Sequence, residues 1–240
     1  MKRTETLLLT GAGRGIGLAI AKRLASKYTL ILVTKTEKSS KRLQKLFPSA
    51  AVYAVDLTKT KEFLKFVREL KKTIQRLDVI INNAGIYYGN TLEKTEDYQI
   101  DQMYALHIKT PFLLIRELLP FLKVSRQKQI INISSAANFS RIPTEGAYTA
   151  TKAGLSALGD VLQLELQRYG IRVSTIHLWS VNTKNFPDRQ DMLQPENIAD
   201  IIEFILSRNN NFQILNIEAS GVKDWRGSWP PWVKQKKVTL

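Results

Sequence analysis

A chain of 240 residues that is 44% hydrophobic and 24% charged has the composition of a globular α/β-sized domain with one large core, which excludes wholesale disorder. No apolar run approaches the ~18 residues of a membrane-crossing helix, and the absence of cysteine excludes disulfides, thiolate metal sites and a cysteine nucleophile. The formal charge of +15, from 36 Lys+Arg against 21 Asp+Glu, attracts polyanions, but its cations are scattered, as on solvated helix faces rather than in a nucleic-acid groove.

The chain opens MKRTETLLLTGAG, too short in apolar residues for a secretory segment, so a cytoplasmic protein is expected. The Asn-x-Ser tripeptides at Asn132 and Asn138 then read as accidental. Thr6–Thr10 is a buried strand ending at glycine, and Ile16–Lys27 a helix with Ile16, Ala19, Ile20 and Leu24 at helical spacing. Leu30–Val33 and Val52–Val55 are further strands around a short helix, Ser39–Leu46. Lys61–Ile74 is helical and Val79–Ile81 a fourth strand. Thr95 is the expected N-cap of a long helix reaching Leu122, kinked at Pro111. Ile130–Ile133 is the fifth strand, followed by a helix over Ala147–Tyr169 that Gly170 closes. Ile171–Leu178, a helix over Pro195–Leu206 and a strand over Phe212–Ile217 complete the series. Continuous Val/Ile/Leu strands alternating with helices predict a doubly wound, Rossmann-type α/β fold: a seven-stranded parallel sheet with helices on both faces. One domain is expected over residues 1–220, with a separate Trp/Pro/Lys-rich tail at 221–240.

The first strand runs directly into Gly11, Ala12, Gly13, Arg14, Gly15, Ile16 and Gly17, where a helix opens. Glycines there permit a tight turn and let backbone N–H groups approach a diphosphate at the positive helix end, so dinucleotide binding is expected. An NAD site wants a carboxylate at the end of the second strand, and an NADP site wants cations. The chain reads Val33-Thr34-Lys35-Thr36, without an acid at the turn. Lys35 and Arg14 are placed to hold a 2′-phosphate from two sides, which favours NADP(H).

Further signals follow in order: Val55-Asp56-Leu57 after the third strand, Asn82-Asn83-Ala84-Gly85 after the fourth, Asn132-Ile133-Ser134-Ser135 after the fifth, then Tyr148-Thr149-Ala150-Thr151-Lys152. Tyr-x-x-x-Lys alone recurs by chance among eight tyrosines in a Lys-rich chain. With the glycine loop and the other signals in order, the sequence resembles the short-chain dehydrogenase/reductase family, in its small single-domain branch that includes the 3-oxoacyl-carrier-protein reductases, over nearly all of the chain to Ile217.

That resemblance implies hydride transfer between the nicotinamide and a carbonyl or alcohol, with Tyr148 as general acid/base. Lys152, one helical turn further on, lies on the same face, where an ammonium lowers the pKa of a phenol from about 10. It also implies that Lys152 holds the nicotinamide ribose and that Ser135, thirteen residues before Tyr148, orients the substrate oxygen, Ser134 pointing elsewhere. By the same resemblance Asp56 meets the adenine amino group beside the Leu57 backbone. Asn83, Ala84 and Gly85 pack against the adenosine side, and Thr183 reaches the nicotinamide amide or the diphosphate. The family commonly assembles dimers or tetramers through its two long helices, so a homo-oligomer is expected, acting on a small molecule and not on a membrane.

Two departures stand out. His107 occupies the position where many members place an asparagine that holds a relay water; a histidine there either holds that water, titrates itself near pH 6–7, or simply packs. Leu178-Trp179 replaces the usual Pro-Gly beside the nicotinamide, so Trp179 either narrows the site or reseats the ring. The segment from Ser180 to Leu193 is short for a substrate loop, and His177 is expected to be a satisfied core residue. The tail, with Trp225, Trp229 and Trp232 among Lys223, Arg226, Lys234, Lys236 and Lys237, covers a pocket, docks on a subunit or binds nucleic acid, unless it is a terminus anchored by a ring or two. Two rival readings stay open: an NADPH-binding sensor without turnover, and a basic nucleic-acid-binding protein whose affinity falls with salt.

Overall fold

The computed structural model describes residues 5–183 and 192–221. The expected tail beyond Gly221 and the middle of the expected substrate loop lie outside the described residues. Seven strands, β1 (Glu5–Thr10), β2 (Tyr28–Thr34), β3 (Ala51–Ala54), β4 (Val79–Asn82), β5 (Gln129–Ser135), β6 (Arg172–Leu178) and β7 (Asn216–Ala219), make one sheet in the order β3-β2-β1-β4-β5-β6-β7. Every neighbouring pair is parallel. The helices are α1 (Gly15–Leu24), α2 (Glu37–Leu46), α3 (Thr60–Thr73), α4 (Asp97–Tyr104), α5 (Thr110–Lys123), α6 (Ala137–Ser140), α7 (Gly146–Leu166) and α8 (Pro195–Leu206). The doubly wound α/β sheet expected from the apolar runs is the one that forms.

Both faces of the sheet are covered, which is why its strands lack polar alternation. Leu7 and Leu9 of β1 face Ile20 and Leu24 of α1 and Ile198 and Ile202 of α8. Leu8 between them faces the opposite way, into the layer of Phe63 and Phe66 of α3, Leu114 and Leu118 of α5 and Leu162 of α7. All three leucines are fully buried, each contributing about 2 kcal/mol relative to an exposed side chain. The strand order reverses between β1 and β4. Chain leaving those strands diverges to opposite sides there and opens a crevice at their C-terminal ends, at Thr10 and Asn82.

Two local expectations are corrected. The long helix starts at Asp97, and its cap is Glu96 in a reciprocal capping box with Gln99; the Thr95 hydroxyl instead donates to the Thr91 carbonyl at 2.9 Å. The break expected at Pro111 takes the form of a π-turn over Ala105–Lys109, with the Thr110 N–H bonded five residues back to the Ala105 carbonyl. Pro111 has no N–H to continue the ladder, and the wider turn takes up the break. The last strand begins at Asn216, not Phe212. Before it, the Arg172 guanidinium takes the Phe212 carbonyl at 3.2 Å and the Ser174 hydroxyl takes that of Ile214, so side chains replace a ladder. The short helix α6 has no counterpart in the sequence reading. Gly170 closes the helix before β6 as expected, at φ +68°. No described helix is long and apolar enough to cross a membrane.

Candidate active site

The crevice holds two adjoining cavities of about 770 and 310 Å³ that share Arg14, Ile16, Asn83, Gly85, Ile86 and Thr183 as lining. The larger lies over the glycine turn. Gly11 sits at φ +70°, and a Cβ there would stand 2.8 Å from the Ala84 Cα; one on Gly17 would stand 2.2 Å from the Gly11 carbonyl oxygen. Side chains at these positions are sterically excluded, so the turn presents bare backbone at the N-terminus of α1. Thr10 and Asn83 lash this turn to the end of β4. The Thr10 hydroxyl accepts the Asn83 and Ala84 N–H groups, each at 3.0 Å, and the Asn83 amide donates to the Thr10 carbonyl at 2.9 Å. The cradle fits the diphosphate of a dinucleotide: backbone donors, no side chain in the way, and room on either side.

At the far end of the larger cavity Lys35, Thr36, Ser39, Arg42 and Asp56 line one corner. Thr36 caps α2 through the Ser39 N–H, and Arg42, three residues after Ser39 and on its face of the helix, donates to the Gly13 carbonyl. Lys35 Nζ lies 3.2 Å from Asp56 Oδ2, so two residues with separate expected tasks touch each other. Burial pushes the Asp56 carboxyl up, but the Thr58 hydroxyl and N–H and the Lys35 ammonium outweigh it and hold its pKa low. Leu57 lines the same cavity, its carbonyl taken by the Thr110 hydroxyl at 3.0 Å. Arg14 sits at the junction of the two cavities, Lys35 on the larger alone.

The smaller cavity gathers Ser135 from the end of β5 and Tyr148 and Lys152 from one face of α7. Ser135 accepts the Ala137 N–H at 3.1 Å and lines the cavity with Tyr148, whose pKa it pulls down. The Tyr148 ring packs edge-on between Tyr87, 5.0 Å between centroids, and His107, 5.6 Å. Lys152 is buried, and its Nζ donates to the Ile133 carbonyl at 2.9 Å, 5.9 Å from the Tyr148 ring centroid. The expectation that Lys152 draws the phenol down is corrected here. Burial lifts the Tyr148 pKa to about 12, with Ser135 pulling it back and Glu145 pushing it up. Burial also brings Lys152 down to about 8. Ser134 turns away, as expected, bonded to the Lys152 carbonyl and Ser156.

His107 is fully buried, and both ring nitrogens have protein partners. Nε2 accepts the Ile86 N–H at 3.2 Å, and Nδ1 lies 2.9 Å from the Thr151 hydroxyl, which itself donates to the Tyr148 carbonyl. The proton is thereby assigned to Nδ1. Burial and the nearby Lys152 charge hold this ring well below the ordinary histidine range, and with both nitrogens engaged the geometry favours the packing role. Trp179 lines the smaller cavity, its indole N–H fixed to the Glu218 carboxylate at 2.6 Å. His177 is only half satisfied: Nε2 pairs with Asn216 at 2.9 Å, while Nδ1 is buried without a partner among the described residues. Sequence reasoning missed Arg42, Tyr87 and Glu145. Spacing held a signal for two of them: Arg42 follows Ser39 by three residues and Glu145 precedes Tyr148 by three, each a shared helix face.

The family model for short chain dehydrogenases matches residues 5–194. An uncharacterized oxidoreductase of Thermotoga maritima is 34% identical over 178 residues, 72% of this chain and 70% of that protein. A 3-oxoacyl-(acyl-carrier-protein) reductase of Rickettsia bellii is 29% identical over 224 residues, covering 87% of this chain and 91% of its own. Among solved structures, a metagenomic short-chain oxidoreductase in complex with NADP is 27% identical, with a TM-score of 0.79 over 89% of this chain and 96% of the other. The glycine cradle at the strand reversal and the serine, tyrosine and lysine beside it thus sit in a chain that belongs to the short-chain dehydrogenase family of oxidoreductases.

Proposed function

We propose that the protein reduces the carbonyl group of a small molecule with NADPH. The observation that carries this reading is the convergence of Ser135, Tyr148 and Lys152 on a cavity that opens directly onto the glycine cradle and its cationic corner. Backbone of Gly11, Gly15, Ile16 and Gly17 holds the diphosphate, with Arg14 beside it. Lys35, helped by Arg42, takes the 2′-phosphate; Asp56 and the Leu57 backbone meet the adenine. Asn83, Ala84 and Gly85 line the adenosine side, and Thr183 reaches the nicotinamide amide or the diphosphate. The NADP bound by the metagenomic relative supports the cofactor half of the reading.

When bound, the nicotinamide supplies a hydride to the carbonyl carbon. Ser135 hydrogen-bonds the carbonyl oxygen, and Tyr148 gives that oxygen its proton. With its pKa at about 12 the phenol is protonated at neutral pH, the form a proton donor needs, and it is still more acidic than the alcohol that its proton completes. Lys152 holds the ribose hydroxyls, and solvent reprotonates the phenolate left after transfer. Exposed apolar side chains on the long helices, Tyr104, Phe112, Val161 and Leu164, support a homo-oligomer closed through that face.

Fluorescence titration with NADPH and NADH, followed by NADPH oxidation with a panel of carbonyls, tests the reading. NADPH is expected to bind preferentially, and Tyr148→Phe to lower kcat at least about 10²-fold with NADPH affinity preserved. A retained rate removes Tyr148 as the acid, and binding of neither nucleotide ends the enzyme reading.

A further inference from the structure

The smaller cavity contains one acid among its described lining residues, Glu145, three residues before Tyr148. Its position at the start of α7 invites a capping role, yet the side chain makes no cap bond. Instead Oε1 accepts the Tyr87 hydroxyl at 2.9 Å. Tyr87 comes from the loop after β4 and packs edge-on against Tyr148 at 5.0 Å, so the Glu145–Tyr87 pair bridges the two walls on either side of the candidate acid. Burial, then Glu145 itself, raise the Tyr87 pKa to about 12, which keeps that hydroxyl a donor.

A carboxylate has acceptor sites on both oxygens, and one donor satisfies only part of them. Among the described residues Oε2 has no partner and Glu145 forms no ion pair, although the chain carries 36 Lys+Arg. The two cations lining the same cavity are engaged elsewhere, Lys152 on the Ile133 carbonyl and Arg14 at the junction with the larger cavity, and Ala137, Ile142 and Ile86 add small or apolar wall. A negative, partly satisfied acceptor in a small cavity beside the reacting group selects by charge. It welcomes a donor or a cation on the substrate and penalises an anion, which would have to lose its hydration facing another anion.

We infer that Glu145, held by Tyr87, is a specificity-determining residue: the substrate is a small carbonyl compound whose body carries an ammonium or other hydrogen-bond-donating group, and carboxylate-bearing carbonyls are excluded. This rests on the proposed reductase reading and adds the substrate class to it. It also separates the near field of the cavity from the far field of the molecule, since the net charge of +15 draws anions to the surface while Glu145 turns them away at the acid.

The test uses matched methyl ketones at two chain lengths: aminoacetone and 4-amino-2-butanone as cations, 2-butanone as the neutral member, acetoacetate and levulinate as anions. Wild type and Glu145→Gln are compared by NADPH oxidation, and by saturation-transfer NMR of each ketone with the protein in the presence of NADP⁺. Wild type is expected to prefer the ammonium ketones over the acids in kcat/KM by more than about tenfold, and Glu145→Gln to compress that ratio by about tenfold or more, mainly through KM for the cations. A ratio that Glu145→Gln leaves unchanged, or a wild-type preference for the acids, overturns the inference while leaving the reductase reading standing. If no ketone is turned over, the reductase reading fails, and NMR decides the inference separately: Glu145-dependent binding of the ammonium ketones supports it, and equal binding of cations and acids overturns it.

Discussion

The two ends of the cleft are built on opposite principles. At the β5–α7 end, Lys152 is 6% exposed and bonded to the Ile133 carbonyl, and Tyr148 is wedged between two rings. At the β2–α2 end, the Lys35 side chain is 62% exposed and among the described residues pairs with Asp56 alone, itself at 16%. Burial makes the first end geometrically exact at an energetic cost, because it desolvates an ammonium. Exposure makes the second end inexpensive and adaptable, but each charge there acts through water and is worth less. On the proposed reading, the chemistry sits at the end where burial displaces Tyr148 and Lys152 from their ordinary pKa values, and the cofactor's outer charge is met by exposed side chains.

The largest break in that contrast comes from Lys152→Met. The lysine pKa falls from 10.5 to about 8 on burial. The folded state therefore disfavours a proton that the unfolded chain keeps. Its destabilisation is complete below pH 8, shrinks as pH rises, and is gone above 10.5, amounting to about 3 kcal/mol at neutral pH. Less roughly 1 kcal/mol for the lost bond to the Ile133 carbonyl, Lys152→Met is expected to be the more stable protein near pH 7 by about 2 kcal/mol, with kcat reduced at least hundredfold. Urea unfolding near pH 7 and pH 9.5 checks this: the advantage of the variant has to shrink at the higher pH. A variant less stable than wild type at both would show that the buried ammonium is not a cost.

The same contrast explains what was legible in the sequence. The glycine turn, Ser135 and the Tyr148–Lys152 pair each lie within a short stretch, and their geometry follows from one helix or one turn. The strands were legible because leucines and isoleucines buried on both faces leave no polar alternation. What went unread depends on pairs brought together by the fold. Arg42 reaches Gly13 from 29 residues away, and Tyr87 reaches Glu145 across 58. The Tyr148 pKa went the other way because burial, which no local spacing encodes, raises it most. The start of β7 was misplaced for a related reason: Phe212 and Leu215 look like strand residues, but they stand 49% and 46% exposed while Arg172 and Ser174 hold the backbone beside them.

A smaller effect sharpens the exposed end. Lys35→Ala and Arg42→Ala are each expected to weaken NADPH binding about tenfold, one charge-assisted contact to phosphate each, and to leave NADH within about twofold. Both losses should fade as ionic strength rises, since exposed charges are screened over about 10 Å at 0.1 M salt. Parallel titrations with the two nucleotides at low and high salt decide it. An unchanged NADPH/NADH ratio in either variant removes that residue from the phosphate site and leaves Lys35 merely the partner of Asp56.

The smallest effect concerns His107, which joins the buried end without titrating in the neutral range. Burial, reinforced by the Lys152 charge, holds its pKa well below 6.5. The group therefore contributes stability that is fully present above the unfolded value and is lost as pH falls towards the folded one, at up to about 1.4 kcal/mol per pH unit. His107→Asn keeps an acceptor for the Ile86 N–H and a donor for Thr151, is neutral at every pH, and leaves a small void worth about 1 kcal/mol. The variant should be the less stable protein near pH 7.5, with the gap closing or reversing near pH 5, and kcat should change only a few-fold with no inflection between pH 6 and 7 in either protein. Unfolding curves at the two pH values measure the first, and the pH–rate profile the second. An inflection near 6.5 that is present in wild type and absent in His107→Asn would mean that the ring exchanges a proton during turnover, and the buried end would then contain a relay rather than a packed wall.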